Sequence, residues 1–156
     1  MTIPQPYRSI EQVLAAKRPG RLAIDPDEPV VAALQMMADN NVGCLLVMQA
    51  ERLVGVISER DYARKVALVG KTSKDTLVRE IMTPNPYCVS AANSVPECMA
   101  LMTEKRVRHL PVVDGDRVIG VLSIGDIVKE VISHHEHVIR GLEIERLRIL
   151  GDSSSY

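Results

Sequence analysis

The sequence predicts a mixed α/β (α+β) protein made from one βαββα-type unit used twice. Three observations predict this fold: the chain matches itself at an offset of 65 residues, each copy alternates short apolar strands with helix-period segments, and the apolar residues are almost all aliphatic. The chain has 156 residues, of which 46% are hydrophobic and only 3% aromatic, with no Trp and no Phe. This composition provides an aliphatic core that two small units can share.

The internal repeat is clearest where LVGVISERD at 53–61 matches VIGVLSIGD at 118–126. The same offset holds without a gap from residues 24–66 to residues 89–131. Most of the pairs that are not identical exchange one aliphatic residue for another. Self-similarity at a fixed offset predicts two equivalent structural units.

Each copy opens with a short strand and continues with a helix. The strands are predicted at 22–24 and 87–89, and the helices at 28–41 and 94–106, where apolar residues recur at helical spacing.

Asp27 and Asn93 are the predicted caps of these helices, and Pro29 and Pro96 are expected in the first turn, where a missing N–H does no harm.

Two apolar strands and a second helix complete each copy. The strands are joined by QAER at 49–52 and DGDR at 114–117, which suit hairpin turns. Their nearly continuous apolar runs predict burial on both faces. The second helix is expected to begin at Ser58 or Ser123.

After the second copy, the helical pattern continues to about Ile139 and on toward Leu150, with Gly141 expected to bend or break the helix.

Lead-in helices are expected at 9–16 and 76–82. We therefore place a first unit with its lead-in helix at 8–70, a second unit with the linker helix at 71–140, and a C-terminal helical segment with a disordered polar tail at 141–156.

Charge and cysteine content narrow the classes of function. The net charge is −1 and the pI about 6.4, which argues against a nucleic-acid partner. Cys44, Cys88 and Cys98 have no CxxC spacing and are expected to be buried thiols in a reducing compartment. With no signal-peptide pattern and no membrane-spanning apolar run, the expected location is the cytoplasm.

Three features carry a family resemblance: the G-h-h-S-x-x-D ending of both copies, HLPVVD at 109–114, and VREIMTPNP at 78–86. In these the chain resembles the CBS-domain family, in the form of a stand-alone tandem pair called a Bateman module. The resemblance implies two units packed around a pseudo-twofold axis, with two clefts between them. It also implies a flat homodimer that binds AMP, ADP, ATP, NAD(H) or S-adenosylmethionine and senses energy or redox state.

Ser58 with Asp61, and Ser123 with Asp126, are the central candidate ligand-binding residues. Each S-x-x-D also forms a near capping box, so helix capping alone is an open alternative. A helix N-terminus favours phosphate, and an Asp beside it can accept both hydrogen bonds of a ribose diol. The neighbouring Gly55 and Gly120 would allow a ligand to approach closely, or would equally mark a strand bulge.

The two clefts are expected to differ in their cations. Arg60 lies inside the first motif, and Arg64 and Lys65 follow within a turn; for Arg60 and Arg64 a solvated helix face is the alternative interpretation. Arg108 and His109 precede a strand of the second copy, at a position that often contacts phosphate in the family. Gly43, at the equivalent first position, would allow an adenine ring or the backbone to approach.

The first strand of each unit is the expected apolar wall for adenine, with backbone groups reading the base edge; Ile24 and Val89 lie at the positions that the family uses there.

No catalytic motif is visible, so the prediction is a regulatory binding module with no enzymatic activity, no required cofactor and no metal. His134, His135 and His137 form a small cluster, for which a solvated helix face is favoured over a metal site. The main alternative is a structural dimerisation adaptor with unoccupied clefts. A small nucleotide-processing enzyme and a nucleic-acid binder are weaker alternatives, and the effector protein is unknown.

Overall fold

The computed structural model describes residues 6–17 and 22–152. They form a mixed α/β structure with two sheets, which confirms the predicted fold class. The elements, in chain order, are α1 (Ile10–Ala15), β1 (Ala23–Ile24), α2 (Val30–Asn40), β2 (Cys44–Gln49), β3 (Arg52–Ser58), α3 (Glu59–Tyr62) continued by a π-helical turn (Ala63–Ala67), α4 (Val78–Ile81), β4 (Thr83–Pro84), β5 (Val89–Ser90), α5 (Val95–Lys105), β6 (His109–Asp114), β7 (Arg117–Ser123) and α6 (Ile124–Asp152).

The two sheets repeat one arrangement. The first has the order β1-β2-β3-β4 and the second β5-β6-β7. In both, the short first strand is parallel to the second strand, which forms an antiparallel hairpin with the third. Strand β4, from the linker between the units, adds a fourth strand to the first sheet. The predicted strand–helix–strand–strand–helix order is therefore confirmed in both copies.

The predicted cap of α2 is wrong. The N-cap is Pro29, which offers no side-chain cap, rather than Asp27. The Asp27 carboxylate instead accepts a 2.6 Å hydrogen bond from Arg79 of α4, while its backbone N–H donates to Asp25. Asp27, which the local sequence predicts to be the cap, therefore forms a tertiary ion pair instead.

The predicted cap of α5 is also displaced by one residue. Ser94 is the N-cap and forms a capping box with Glu97, with Pro96 in the first turn as expected. The Asn93 side chain accepts a hydrogen bond from the Ser90 N–H and donates one to Glu97. Asn93 thus closes the turn before the helix, because the better cap follows it directly.

Both hairpins close through the expected two-residue turns. Gln49 pairs with Arg52 around Ala50 and Glu51, whose φ angles are 48° and 63°. In the second hairpin only Gly115 is left-handed, with φ of 59°. Positive φ at both central residues is the type I′ pattern, which normally selects Asn or Gly rather than Ala and Glu.

Gly55 and Gly120 sit beside a β-bulge, which favours the bulge among the two alternatives for them. The register shifts between Val47 and Met48 in the first hairpin and at the equivalent place in the second. A Cβ on Gly55 would lie 2.7 Å from the Thr83 carbonyl oxygen, and one on Gly120 would lie 3.1 Å from the Leu14 side chain. Both glycines therefore admit a neighbouring segment of the protein itself.

Two aliphatic cores hold the units together, and each is completed by a segment from the other part of the chain. The second core includes Ile10 and Val13 of α1 together with residues of β5, α5, β6, β7 and α6. The first core includes Val78 and Ile81 of α4 together with residues of β1, α2, β2 and β3. Each lead-in helix therefore packs on the unit that it does not directly precede.

An ion pair between Arg8 and Glu130 strengthens the packing of the first lead-in segment on the second unit. The buried Glu130 of α6 accepts hydrogen bonds from the Arg8 backbone N–H at 2.9 Å and from Arg8 Nε at 2.7 Å. Tyr7 stacks on His134 with ring centroids 4.1 Å apart. The segment before α1 is thus fixed to α6 by packing and by an ion pair with one buried partner.

Helix α6 runs without a break through Gly141, so the break predicted as one of the two alternatives does not occur, and a bend there stays a prediction. Nothing lies within 4 Å of a Cβ built at Gly141. The cost of one glycine, about 1 kcal/mol, is small for a 29-residue helix whose other residues propagate it. Gly151 and Asp152 are still helical, and the rest of the predicted disordered tail, 153–156, lies outside the described residues.

The cysteines follow the prediction in part. Cys44 and Cys98 are buried, but Cys88 is exposed, because it precedes β5 in the loop from the linker. Across the described residues, no helix is long and apolar enough to cross a membrane.

Candidate functional site

The candidate site is built on two equivalent junctions, where β3 passes into α3 and β7 passes into α6. At the first, Asp61 N–H donates to Ser58 Oγ at 3.2 Å, and Ser58 N–H donates back to Asp61 Oδ2 at 2.9 Å. At the second, the corresponding distances for Asp126 and Ser123 are 3.1 Å and 2.8 Å. Both motifs are therefore reciprocal capping boxes, as the capping interpretation expects.

The start of the preceding hairpin lies directly against each junction. The backbone N–H of Glu59 donates to the Gly43 carbonyl at 3.1 Å, and that of Ile124 donates to the Arg108 carbonyl at 2.8 Å. His109 is the cross-strand partner of Ser123. The structure therefore brings Gly43 to the first motif, and Arg108 with His109 to the second.

In the first junction, the acidic side chain is neutralised from its own helix. Lys65 Nζ lies 3.1 Å from Asp61 Oδ1 and donates to the Ile81 carbonyl at 2.9 Å. Asp61 Oδ2 is held by both the Ser58 hydroxyl and the Ser58 N–H. Arg60 and Arg64 are exposed, which is consistent with the solvated helix face, and it is Lys65 that contacts the carboxylate.

In the second junction, the acidic side chain is neutralised by a distant residue. Lys17, just after α1, places Nζ 2.8 Å from Asp126 Oδ2 and 2.7 Å from the Val121 carbonyl oxygen. Burial raises the pKa of Asp126, but the hydrogen bonds from Lys17 and Ser123 outweigh it and hold the pKa below its ordinary value. Asp126 is therefore a carboxylate at neutral pH.

Lys17 lies where the two units meet. Its charge acts on Cys44 at the start of β2 and on His109 at the start of β6. Burial and the Asp61 carboxylate raise the pKa of the Cys44 thiol to about 12, against the opposing effect of Lys17. The thiol consequently stays protonated at neutral pH and is not a nucleophile.

The pKa of His109 is lowered, whereas that of Cys44 is raised. Burial, Lys17 and Arg108 lower its pKa, and Asp126 opposes them only in part. The imidazole is therefore neutral at pH 7. One of its ring nitrogens can donate a hydrogen bond, and the other can accept one.

Ile24 and Val89 lie in the two cores rather than on an open wall. They are 5% and 6% exposed, and pair with Val47 and Val112 in their sheets. Their side chains are used in packing, so the contact that they can still offer a ligand is through the backbone.

Other candidate features lie elsewhere. A surface depression of about 420 Å³ is lined by Gln49, Ala50, Arg52, Leu53, Val54 and Asn85, at the turn end of the first hairpin. This is the opposite end of the hairpin from Ser58. Within the described ranges, no group of three His, Cys, Asp or Glu side chains could hold a metal ion, and His137 instead contacts the Ser133 carbonyl.

Sequence reasoning missed Lys17, and it named Lys65 only as one of the cations that follow the first motif. The repeat comparison could not find them, because their equivalents 65 positions later are Met82 and Glu130. Lys65 had a local signal, since it lies four residues after Asp61 on a helix. Lys17 had none, because its partner is 109 residues away.

Comparison with known proteins gives a consistent family. A family model described as the CBS domain matches residues 17–68 and 78–133. The CBS domain-containing protein CBSX3, mitochondrial, of Arabidopsis thaliana is 38% identical over 121 residues, which cover 74% of this chain and 59% of that protein. The chain spans 17% and 32% of two further curated relatives.

Two solved structures that match this chain are covered over almost their whole length. One, a protein with CBS domains from Burkholderia ambifaria MC40-6, is 45% identical with a TM-score of 0.78, covering 81% of this chain and 95% of that one. Another is a CBS domain pair in complex with 5′-methylthioadenosine and S-adenosyl-L-methionine, 25% identical with a TM-score of 0.69, covering 80% and 95%. Because both units are matched in sequence and in structure, the chain belongs to the CBS-domain family and carries the domain as a pair.

Proposed function

We propose that this chain is a regulatory module that binds an adenosine-containing ligand, AMP, ADP, ATP or NAD(H), and signals energy or redox state through a change of conformation. The observation that carries the proposal is the second junction. There the Asp126 carboxylate, which suits a ribose diol, lies beside Lys17, Arg108 and His109, which suit a phosphate. A similar domain pair binds 5′-methylthioadenosine and S-adenosyl-L-methionine, which supports an adenosine ligand.

Binding without catalysis is the accompanying proposal. The two carboxylates of the motifs are engaged in helix capping and in ion pairs with lysines, and the nearby Cys44 thiol is protonated. None of these groups is placed as a base for a bound nucleotide. Ligand incubated with the protein should therefore be recovered unchanged, as measured by chromatography of the nucleotide.

The proposed transmission step is a shift between two arrangements of the units. Lys17 contacts the second unit, and its charge also acts on Cys44 of the first, so a ligand that displaces Lys17 would change the electrostatics of both. A ligand that binds one arrangement better shifts the population toward it by its differential affinity. An effector protein would then recognise the favoured arrangement.

The proposed location is the cytoplasm, and one relative is mitochondrial by name.

The first test is a thermal-shift screen with AMP, ADP, ATP, NAD, NADH and S-adenosylmethionine, on protein freed of carried-over nucleotide. A ligand of the native state raises the apparent stability by mass action, so at least one of these compounds should raise the melting temperature. No rise with any of them contradicts the proposal and favours the adaptor with unoccupied clefts.

The second test locates the site by calorimetry. Asp126→Ala and Asp61→Ala should each weaken a binding event by about 1–3 kcal/mol, because each removes the proposed ribose acceptor. Glu97→Ala is the matched control, because it removes the acid of a capping box at α5, away from both junctions. If the three variants bind equally well, the carboxylates only cap helices and the ribose assignment is wrong.

A further inference from the structure

Lys17 is a residue whose position is fixed although its partner is distant in sequence. Helix α1 is anchored in the second core by Ile10 and Val13, which are 0% and 4% exposed. The Lys17 backbone N–H then donates to the Leu14 carbonyl at 3.1 Å, which holds the residue at the end of the helix. The ammonium group is thereby brought to Asp126 by the packing of a whole element.

This arrangement exists in only one half of the repeat. The position equivalent to Lys17 is Met82, and the position equivalent to Lys65 is Glu130, which is bound to Arg8 instead. The first carboxylate is therefore paired four residues along its own helix, whereas the second depends on a lysine from the lead-in segment. A lysine from a separate segment can leave its partner without disturbing the helix that the partner caps.

The groups around Lys17 favour an anion. Arg108 is positive, His109 is a neutral donor, and the only acid in contact with Lys17 among the described residues is Asp126. Asp61 lies on the side of Cys44, where Lys65 already neutralises it. If Asp126 is occupied by another hydrogen-bond donor, the Lys17 ammonium is left without its counter-charge, in the neighbourhood of the positive Arg108 and the neutral His109.

A ribose is such a donor. A diol that binds a carboxylate in the bidentate mode uses both oxygens of Asp126, and Oδ2 already accepts from Ser123 N–H and from Lys17. Lys17 must then give up Oδ2, and its ammonium, on a side chain that is 37% exposed, loses a charge-assisted hydrogen bond unless an anion replaces the carboxylate. The phosphate of the same ligand is an anion of suitable chemistry.

We propose that Lys17 is a specificity-determining residue, which exchanges the Asp126 carboxylate for the phosphate of the bound ligand and so selects adenosine phosphates over neutral adenosine. This inference rests on the proposed function. In the absence of ligand, Lys17 holds Asp126 and keeps the second cleft closed to uncharged nucleosides. In its presence, the ammonium joins Arg108 at the phosphate.

Calorimetric titration of the full chain with AMP and with adenosine tests the exchange, using wild type, Lys17→Gln and Lys17→Arg. Lys17→Gln should weaken AMP roughly 10- to 100-fold, because a charge-assisted bond to phosphate is lost. The same variant should bind adenosine as tightly as wild type or more tightly, since the competitor for Asp126 is gone. Lys17→Arg should retain most of the affinity for AMP.

Lys105→Gln is the matched control, because it removes an exposed lysine that pairs with Glu104 on α5. Equal weakening of AMP and adenosine by Lys17→Gln would assign Lys17 a purely structural role and overturn the exchange, as would unchanged AMP binding. If wild type binds adenosine and AMP with the same affinity, the exchange is also wrong, but the proposed function stands. If wild type binds neither compound, nor any other adenosine ligand, both fail together.

Discussion

Two equivalent turn residues, Ala50 and Gly115, adopt the same left-handed backbone with different side chains. Their φ angles are 48° and 59°. An L-residue with a Cβ pays about 1–2 kcal/mol in this region, and glycine does not. The first hairpin therefore contains local strain that the second avoids.

Two single variants, in which each residue is replaced by the residue type of the other position, test this difference. Ala50→Gly should raise the free energy of unfolding by about 0.5–1 kcal/mol, because the relief of strain exceeds the added entropy of the unfolded chain. Gly115→Ala should lower it by about 1 kcal/mol, although a Cβ there meets nothing within 4 Å. Urea denaturation of both variants gives the two values. A destabilised Ala50→Gly protein would mean that the turn is not strained.

At the level of single residues, the sequence predicted the groups that belong to the repeat and missed those that break it. Ser58, Asp61, Ser123 and Asp126 were found because they recur at a constant offset and have a local partner three residues away. Lys17 was invisible, because its role comes only from the tertiary placement of α1. Their ligand-binding roles remain predictions.

Among the secondary-structure elements, strands β3 and β7 each contain a glycine at the equivalent position, Gly55 and Gly120. The two positions differ in how much room they leave for a side chain. A Cβ on Gly55 would meet backbone, the Thr83 carbonyl oxygen at 2.7 Å, besides Met82 Sδ at 2.9 Å. On Gly120 it would meet only the end of the Leu14 side chain, at 3.1 Å and 3.3 Å. A flexible side chain can move away, whereas the paired strand β4 cannot.

Gly55→Ala should therefore destabilise the protein by about 1–3 kcal/mol, the usual cost of overpacking. Gly120→Ala is the matched comparison and should cost clearly less, because Leu14 can adopt another rotamer. Guanidinium denaturation followed by circular dichroism measures both. Equal losses would show that the contact with β4 is not what restricts position 55.

Helices and strands were predictable because each has a strong period, but their ends were not. The cap of α2 was misplaced because Arg79, from a segment some fifty residues later, draws the Asp27 carboxylate away. The break predicted at Gly141 did not occur, because one weak residue does not outweigh a long run of helix formers. Local patterns thus predict the elements, and contacts between elements decide their boundaries.

At the scale of the whole molecule, the main feature is an exposed apolar surface on helix α6. Helix α6 has 29 residues, a length of about 43 Å. Between 139 and 150, large apolar side chains such as Ile139, Leu142 and Leu147 are 55–69% exposed. Contiguous exposed apolar surface is typical of an interface, and we propose that a second copy of this chain covers it in a homodimer.

Leu142→Glu should weaken this homodimer, because one charge from each protomer would be buried at the contact. Sedimentation velocity over a range of concentrations measures the shift toward monomer. Thr103→Glu adds the same charge to the exposed face of α5 and should leave the assembly unchanged. A wild-type chain that stays monomeric at tens of micromolar, or an unaffected Leu142→Glu dimer, contradicts the proposal.

The exchange of lead-in helices has a consequence for biosynthesis. The segment from Arg8 to Lys17, which contains α1, leaves the ribosome before either sheet exists, yet its contacts with Val121, Asp126 and Glu130 lie more than a hundred residues later. Such long loops slow folding, because chain entropy is lost before the contacts form. A segment translated before both sheets is therefore among the last to reach its place, and nascent chains that stop before α6 should leave α1 accessible to protease.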